Sequence, residues 1–288
     1  MTMEVDLDAL QKHIGTKIVE HDLATKAPLD GVVVAFDRDD HVPDKGEPIE
    51  LGWHLTYFHA FSRKAVLGED GLPTTGGVIP EMPFPRRMYA GTGLTFLEPI
   101  CVGDELRRET ELTDIALRKG STGELIFVTQ TRRIFTPRGL AVVEENYTVF
   151  REAVKPGTSS SPPKRESPPD NLPWQRTITT DPVSLFRYSA LTFNPHRIHY
   201  DRKYAMEVEN YPGLVVHGPY SQQCMLDLLR DQNPDKKVRS FKQRARAPLF
   251  DTAAFSVAGQ PKDDGAGATV WAITPEGTIA MQADVEFA

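Results

Sequence analysis

The chain writes one strand pattern twice, and that repetition restricts its fold more than any other feature. In the first half GLTFLEPICVGDELRRETEL precedes GELIFVTQTRRIF and then LAVVEENYTVF; in the second, SFKQRARAPLFDTAAFSVAG precedes ATVWAITP and then TIAMQADVEF. Each set reads as a strand, a proline, a turn, a second strand, a hairpin and a closing strand that ends in Phe150 or Phe287. Ile279, Met281, Ala283, Val285 and Phe287 recur at every second position, the period of a half-buried antiparallel strand. Gly120 and Gly123 mark one hairpin turn, and Gly265 and Gly267 mark its counterpart. Duplication is the expectation; a chance match between all-β segments is the alternative. The run PGTSSSPPKRESPPDNLP at 156–173 has almost nothing to bury and reads as a linker between domains 1–155 and 174–288.

Helix is scarce. The best candidate runs from about Pro219 to Asp231, with Pro219 suited to the first helical position. Met225, Leu226, Leu228 and Leu229 follow helical spacing, while Asp227 and Arg230 fall on the other face. An antiparallel sheet wrapped around one long helix is therefore expected for the second half. The corresponding stretch of the first half, GEDGLPTTGGVIPEMPFP, is too rich in Gly and Pro to be helical. GWHLTYFHAFSRKAVL further upstream is left as a candidate displaced helix, with a remodelled interior that leaves space for a ligand.

Bulk properties narrow the function classes. The 288 residues are 40% hydrophobic and 25% charged, ordinary for a globular protein. A formal net charge of −7 argues against a general nucleic-acid binder. Cys101 and Cys224 cannot form a disulfide framework or a four-cysteine zinc site, and both are expected to be buried, reduced thiols. The N-terminal MTMEVDLDALQKHIG is acidic and lacks the long apolar run of a secretory signal, and no segment approaches the roughly 20 apolar residues of a membrane span. A cytoplasmic protein without membrane partners is expected.

The chemistry is concentrated in RYSALTFNPHRIHYDRKY, residues 187–204. This stretch sets Ser189, Asn194, His196, Arg197, His199 and Asp201 together, too dense in donors, acceptors and titratable groups for a plain solvated turn. Shortly after it PGLVVHGPYSQQCMLDLLRD reads as an apolar lead-in to a helix start. A polar cluster facing a helix N-terminus is one way to polarise a carbonyl.

SALTFNPHRIHYD, with the upstream GWHLTYF, LGEDG and FPRRMYAG and the later HGP, resembles the fatty-acid-synthase-type branch of the MaoC-like dehydratases, which includes 3-methylfumaryl-CoA (mesaconyl-CoA) and itaconyl-CoA hydratases. The resemblance implies an α+β double hotdog: two antiparallel sheets, each wrapped around a helix, the N-terminal helix displaced or degenerate. It also implies reversible addition of water across the double bond of an α,β-unsaturated acyl-CoA, with no cofactor beyond the CoA of the substrate, in a monomer or homodimer. Aligned on Ile198-His199-Tyr200-Asp201, Asn194 stands where the MaoC pattern has an aspartate that activates water with its histidine. An amide is no base but can orient water or a carbonyl, which leaves His199 as general base. Backbone N–H groups near Gly218 are the expected donors to an enolate oxygen. His217 either lines the pocket or packs a loop; Tyr188 is carried as a further substrate-binding candidate. His196 is a second acid–base group or a hydrogen-bonded support. Arg197 pairs with Asp201 or Asp227, or reaches substrate; Asp201 is expected to lock its loop through backbone hydrogen bonds.

Charge placement adds two alternatives. Lys236, Lys237, Arg239, Lys242, Arg244 and Arg246 crowd one stretch, either as a solvated basic face or, with Lys242 and Arg244 foremost, as a site for the phosphates of CoA. Arg86 and Arg87 either clamp the free carboxylate of a dicarboxylic acyl-CoA, leading to citramalyl-CoA, or form structural ion pairs. Rival readings are a fatty acyl-thioester dehydratase, a thioesterase with a carboxylate near the helix start, and a non-catalytic acyl-CoA-binding module. A metal site is disfavoured, because His196 and His199 have no third ligand nearby in sequence.

Overall fold

The computed structural model describes residues 5–74, 77–120, 123–152 and 165–288. In chain order it contains α1 (Leu7–Gln11), β1 (Lys17–Leu23), α2 (Ala27–Ala35), β2 (Arg86–Phe96), β3 (Glu105–Gly120), β4 (Gly123–Thr136) and β5 (Gly139–Arg151). The second half follows with β6 (Trp174–Ile178), α3 (Pro182–Leu191), α4 (Arg202–Glu207), α5 (Gly218–Gln232), β7 (Val238–Ala245), β8 (Phe255–Pro261), β9 (Gly267–Ile273) and β10 (Ile279–Phe287). All ten strands join one antiparallel sheet in the order β1-β3-β4-β5-β2-β7-β10-β9-β8-β6. From either end the order has the same plan, and the halves meet where β2 pairs with β7, from Gly91–Arg244 to Thr95–Ser240. Most of the segment read as a linker, residues 156–164, lies outside the described residues, as do 121 and 122 of the first hairpin.

The two interiors differ. In the second half α5 is buried along nearly its whole length, from Tyr220 to Leu229, and a single apolar cluster joins it to Phe241, Val257, Val270 and Ala283. Asp227, expected on a free face, is 3% exposed, because the helix is enclosed rather than half-covered. Its carboxylate accepts from Gln223 at 2.9 Å and sits beside Arg230 at 3.6 Å, within a network in which Arg38 bonds Asp40 and Asp231. Burial pushes the Asp227 carboxyl up to about 6 despite Arg38.

The first half has no counterpart of α5. The segment GWHLTYFHAFSRKAVL is not a displaced helix: it forms two 3₁₀ turns, Trp53–Thr56 and Lys64–Val66. Its aromatic side chains pack instead as a plug, Trp53 and Tyr57 lying buried against Leu106, Ile134 and Val142. Four helices, α1 to α4, had no expectation behind them. α2 follows β1 as α3 follows β6, and α3 opens with a capping box in which Asp181 and Ser184 bond each other's backbone, with Pro182 inside the first turn. Cys224 is buried as expected, but Cys101 is only partly so, since it opens a turn that closes at Asp104.

Candidate functional site

The stretch 187–204 folds as a helix end, a turn and a new helix start, and this geometry gathers its side chains. α3 stops as Phe193 takes a positive φ of 49° and Asn194 N–H closes onto the Ser189 carbonyl at 2.8 Å; Pro195 prevents continuation. Asn194 Oδ1 then accepts from His196 N–H at 3.0 Å, an Asx turn that leaves the amide nitrogen free. A 3₁₀ turn, Arg197–His199, follows, and Asp201 caps α4 by accepting from Tyr204 N–H at 3.1 Å. Arg197 is used structurally: it bonds Asp201 at 2.7 Å and the Glu69 carbonyl at 2.9 Å and lies over the Tyr204 ring. Among the described residues it makes no pair with Asp227.

His199 is buried, and its Nδ1–H donates to the Val215 carbonyl at 2.7 Å. That bond fixes the tautomer and leaves the Nε2 lone pair available. Its ring stacks on His217 with 3.7 Å between centroids, and His196 approaches edge-on at 5.4 Å. His217 caps α5 from the outside, with Nε2 bonded to Ser189 Oγ at 2.8 Å and Nδ1 buried without a partner. So His217 belongs to the cluster, as the third imidazole that spacing along the chain did not supply. Stacked rings do not converge their lone pairs, and no group of three metal-holding side chains occurs among the described residues.

Burial sets the protonation of all three rings. It lowers His199 to about 3, against the Val215 bond, and His196 to about 4, against Asp70; His217 is pushed well below the usual imidazole range. His196 and His199 both lie far below 6.5, so the rings are neutral from about pH 5 upward. The expected kcat/KM profile of the wild-type protein is therefore flat between about pH 5 and 8, falling only in stronger acid as His199 gains a proton. An inflection near 6.5 in that profile would contradict this picture.

α5 begins against the cluster. A Cβ on Gly218 would lie 2.5 Å from the Tyr89 ring, which explains the glycine: the second-half helix start is packed against a first-half side chain. Tyr89 was not singled out in the sequence; it bonds Thr92 at 2.7 Å and is held by Gln243, which also reaches Gln222 of α5. Tyr188 is buried edge-on to His217. Arg87 lies on the β2 face that carries Tyr89, crowded by protein atoms yet still solvent-accessible, and makes no ion pair among the described residues; burial and Arg132 lower its pKa while Asp70 opposes them. Arg86 points elsewhere, 4.0 Å from Glu209.

Lys242 and Arg244 are not brought into this cluster. On β7 they alternate with Phe241 and Gln243, which face α5, so they project from the opposite side of the sheet. Lys236, Lys237 and Arg239 line a separate cleft of about 730 Å³ at the C-terminal end of α5. With 1.5 Å of rise per residue, that end is roughly 20 Å from Gly218.

Two related half-sheets around one central helix, with neutral imidazoles against the start of that helix, define a double-hotdog dehydratase or hydratase. The model of the hydroxyacyl-thioester dehydratase type 2 family matches residues 52–251, and the chain belongs to that family. It is 38% identical over 271 residues to the mesaconyl-C(4)-CoA hydratase of Chloroflexus aurantiacus, covering 94% of this chain and 95% of that protein. A MaoC-like dehydratase from Phytophthora capsici superposes with a TM-score of 0.67 at 15% identity, over 99% of both chains. A Mycobacterium tuberculosis protein described as having a double hotdog fold gives 0.58 at 12% identity, over 95% of this chain and 96% of that one. The chain is a hydro-lyase of this family. No helix among the described residues is long and apolar enough to cross a membrane.

Proposed function

We propose that the protein hydrates a branched, dicarboxylic α,β-unsaturated acyl-CoA, of the mesaconyl-CoA or itaconyl-CoA type, to a citramalyl-CoA. The observation that carries the reaction is His199: a neutral imidazole whose Nδ1–H is tied to Val215 and whose Nε2 is open to take a proton from water. Asn194, with its amide nitrogen free, orients that water, and the N–H of Gly218 donates to the thioester oxygen as enolate charge develops. The low proton affinity of His199 in the free protein fits this role, because an enolate formed beside it stabilises the imidazolium. The hydroxyl adds to the β-carbon as the double bond opens, and the proton returns to the α-carbon, so one water is consumed and the CoA thioester is kept.

A thioesterase reading is disfavoured by the helix start. It needs a carboxylate there, and the first one on α5 is Asp227, which is occupied by Arg230 and Gln223 about 14 Å along the helix. The dicarboxylic reading is supported by Arg87, which acts on His196 and makes no ion pair among the described residues, and by the likeness to the Chloroflexus mesaconyl-C(4)-CoA hydratase. Mesaconyl-CoA, itaconyl-CoA and crotonyl-CoA should be offered to the purified protein while loss of the enoyl-thioester absorbance is followed. Turnover of the dicarboxylic substrates at least about tenfold above crotonyl-CoA in kcat/KM is expected, on the strength of one charge-assisted contact. Reaction with crotonyl-CoA alone would exclude the substrate class, and no hydration of any of the three would exclude the reaction.

A further inference from the structure

The inner face of the first-half sheet is polar where it should be apolar. Cross-strand pairs place Thr110, Arg132, Glu144 and Leu94 in one row and Gln130, Asn146 and Thr92 in the next. Thr92, Thr110, Gln130 and Glu144 are nearly inaccessible to solvent, as is His54 of the neighbouring 3₁₀ turn. This band divides the interior of the first half into two separate apolar clusters, one around Trp53 and Ile134, the other around Ile126 and Phe150. The second half, with α5 in place, has a single continuous core on the same face. Burying such groups is unfavourable unless they are matched.

They are only partly matched. Arg108 is satisfied by Glu20 at 2.7 Å and by the Phe58 ring. Glu144 accepts from Arg132 at 3.1 Å and from Asn146 at 2.7 Å. That leaves Arg132 Nε and His54 Nε2 buried with no hydrogen-bond partner, and Arg87 with no ion pair, among the described residues. Three guanidiniums, Arg87, Arg108 and Arg132, thus share Glu20 and Glu144 with Asp70 near Arg87, and it is Arg132 that keeps a buried donor without an acceptor. The band reaches the imidazole cluster: Tyr89 bonds Thr92 of the band at 2.7 Å and packs at Gly218, next to His217, on which Tyr188 stands edge-on.

We propose that Arg132, seated on Glu144 and flanked by His54, is a specificity-determining receptor for the free carboxylate of a dicarboxylic acyl thioester, with Arg87 at the histidine end of the same face. The acyl group then lies along the polar band between the two apolar clusters. A carboxylate there supplies an acceptor for Arg132 Nε, while Glu144 holds the guanidinium in place. The inference rests on the dicarboxylic reading given above, but its test does not require turnover.

Equilibrium binding of succinyl-CoA and butyryl-CoA, which differ chiefly by a terminal carboxylate, measures the receptor directly. The wild-type protein should bind succinyl-CoA at least about tenfold tighter. Arg132→Met should weaken succinyl-CoA about 100-fold, as for loss of one member of a buried charge pair, and leave butyryl-CoA within about twofold. Arg132→Lys, which keeps the charge opposite Glu144 but not the planar fork, should lose about tenfold on succinyl-CoA alone. Near-ultraviolet circular dichroism reports folding of each variant. A wild-type protein without preference, a preference that survives both substitutions, or equal loss of both ligands would overturn the assignment. Hydration of mesaconyl-CoA, itaconyl-CoA and crotonyl-CoA by the wild-type protein tests the reaction separately: failure with all three while the succinyl preference is intact removes the reaction and leaves the receptor.

Discussion

Replacing His199 with Gln should lower kcat about 10³-fold while changing KM little, in the range expected for loss of a general base. Glutamine can still bond the Val215 carbonyl, so the backbone geometry of the loop is kept and only the lone pair at Nε2 is lost. Neither neighbouring ring can replace it. His217 has its Nε2 on Ser189 and its other nitrogen enclosed, and its stacked orientation presents a face to His199 rather than a nitrogen. His196 stands edge-on at 5.4 Å, held in place by the Asx turn of Asn194. His196→Gln should therefore cost much less, about tenfold. The measurement is hydration of the best enoyl-CoA at saturating substrate, with near-ultraviolet circular dichroism confirming native packing. Retention of more than a tenth of wild-type kcat by His199→Gln would remove this residue from the proton chemistry.

Strand alternation made most of this fold readable, and it also held information that the basic stretch obscured. Duplicated strands, the paired glycines and α5 all follow from local pattern: period two, φ-permissive turns and a run of apolar residues at helical spacing. The same alternation puts Lys242 and Arg244 opposite Phe241 and Gln243, so a strict reading of parity separates them from the core face. α2 and α3 had weaker signals, although DPVS before FRYSAL is a helix-start pattern in its own right. At the site, the residue types of 187–204 pointed to the chemistry, and the structure brings Asn194, His196, His199, His217 and the helix start at Gly218 together. What the sequence withholds is contact between distant segments. The tautomer of His199 depends on a backbone carbonyl 16 residues away, and the glycine at 218 depends on a tyrosine from the other half. The polar band around Arg132 is similar, because only the cross-strand register reveals that it faces inward.

The loop LGEDG is the strongest case of such dependence, and Gly71→Ala should be correspondingly severe. This loop from the first half grips the catalytic turn of the second: the Asp70 carbonyl accepts from Arg197 N–H at 2.8 Å, and the Glu69 carbonyl accepts from the Arg197 guanidinium at 2.9 Å. Gly71 has φ of +87°, and a Cβ built there would stand 2.2 Å from the carbonyl oxygen of Pro195. Both contacting groups are backbone, so no rotamer change relieves the overlap; the two loops must separate. We expect Gly71→Ala to cost about 2–4 kcal/mol in stability, combining conformational strain of about 1–2 kcal/mol with overpacking. Displacing the 195–199 turn should also lower kcat about 100-fold, since a shift on the order of 1 Å in a catalytic group has that effect. Gly46→Ala supplies the control. Its φ is +90°, but nothing lies within 4 Å of the added Cβ, so it carries the strain without the overlap. Thermal unfolding and hydration rates measured on both variants separate the two contributions. Gly46→Ala should keep full activity with a small drop in Tm, and equal behaviour of the two variants would show that the grip of LGEDG on the histidine turn has no catalytic consequence.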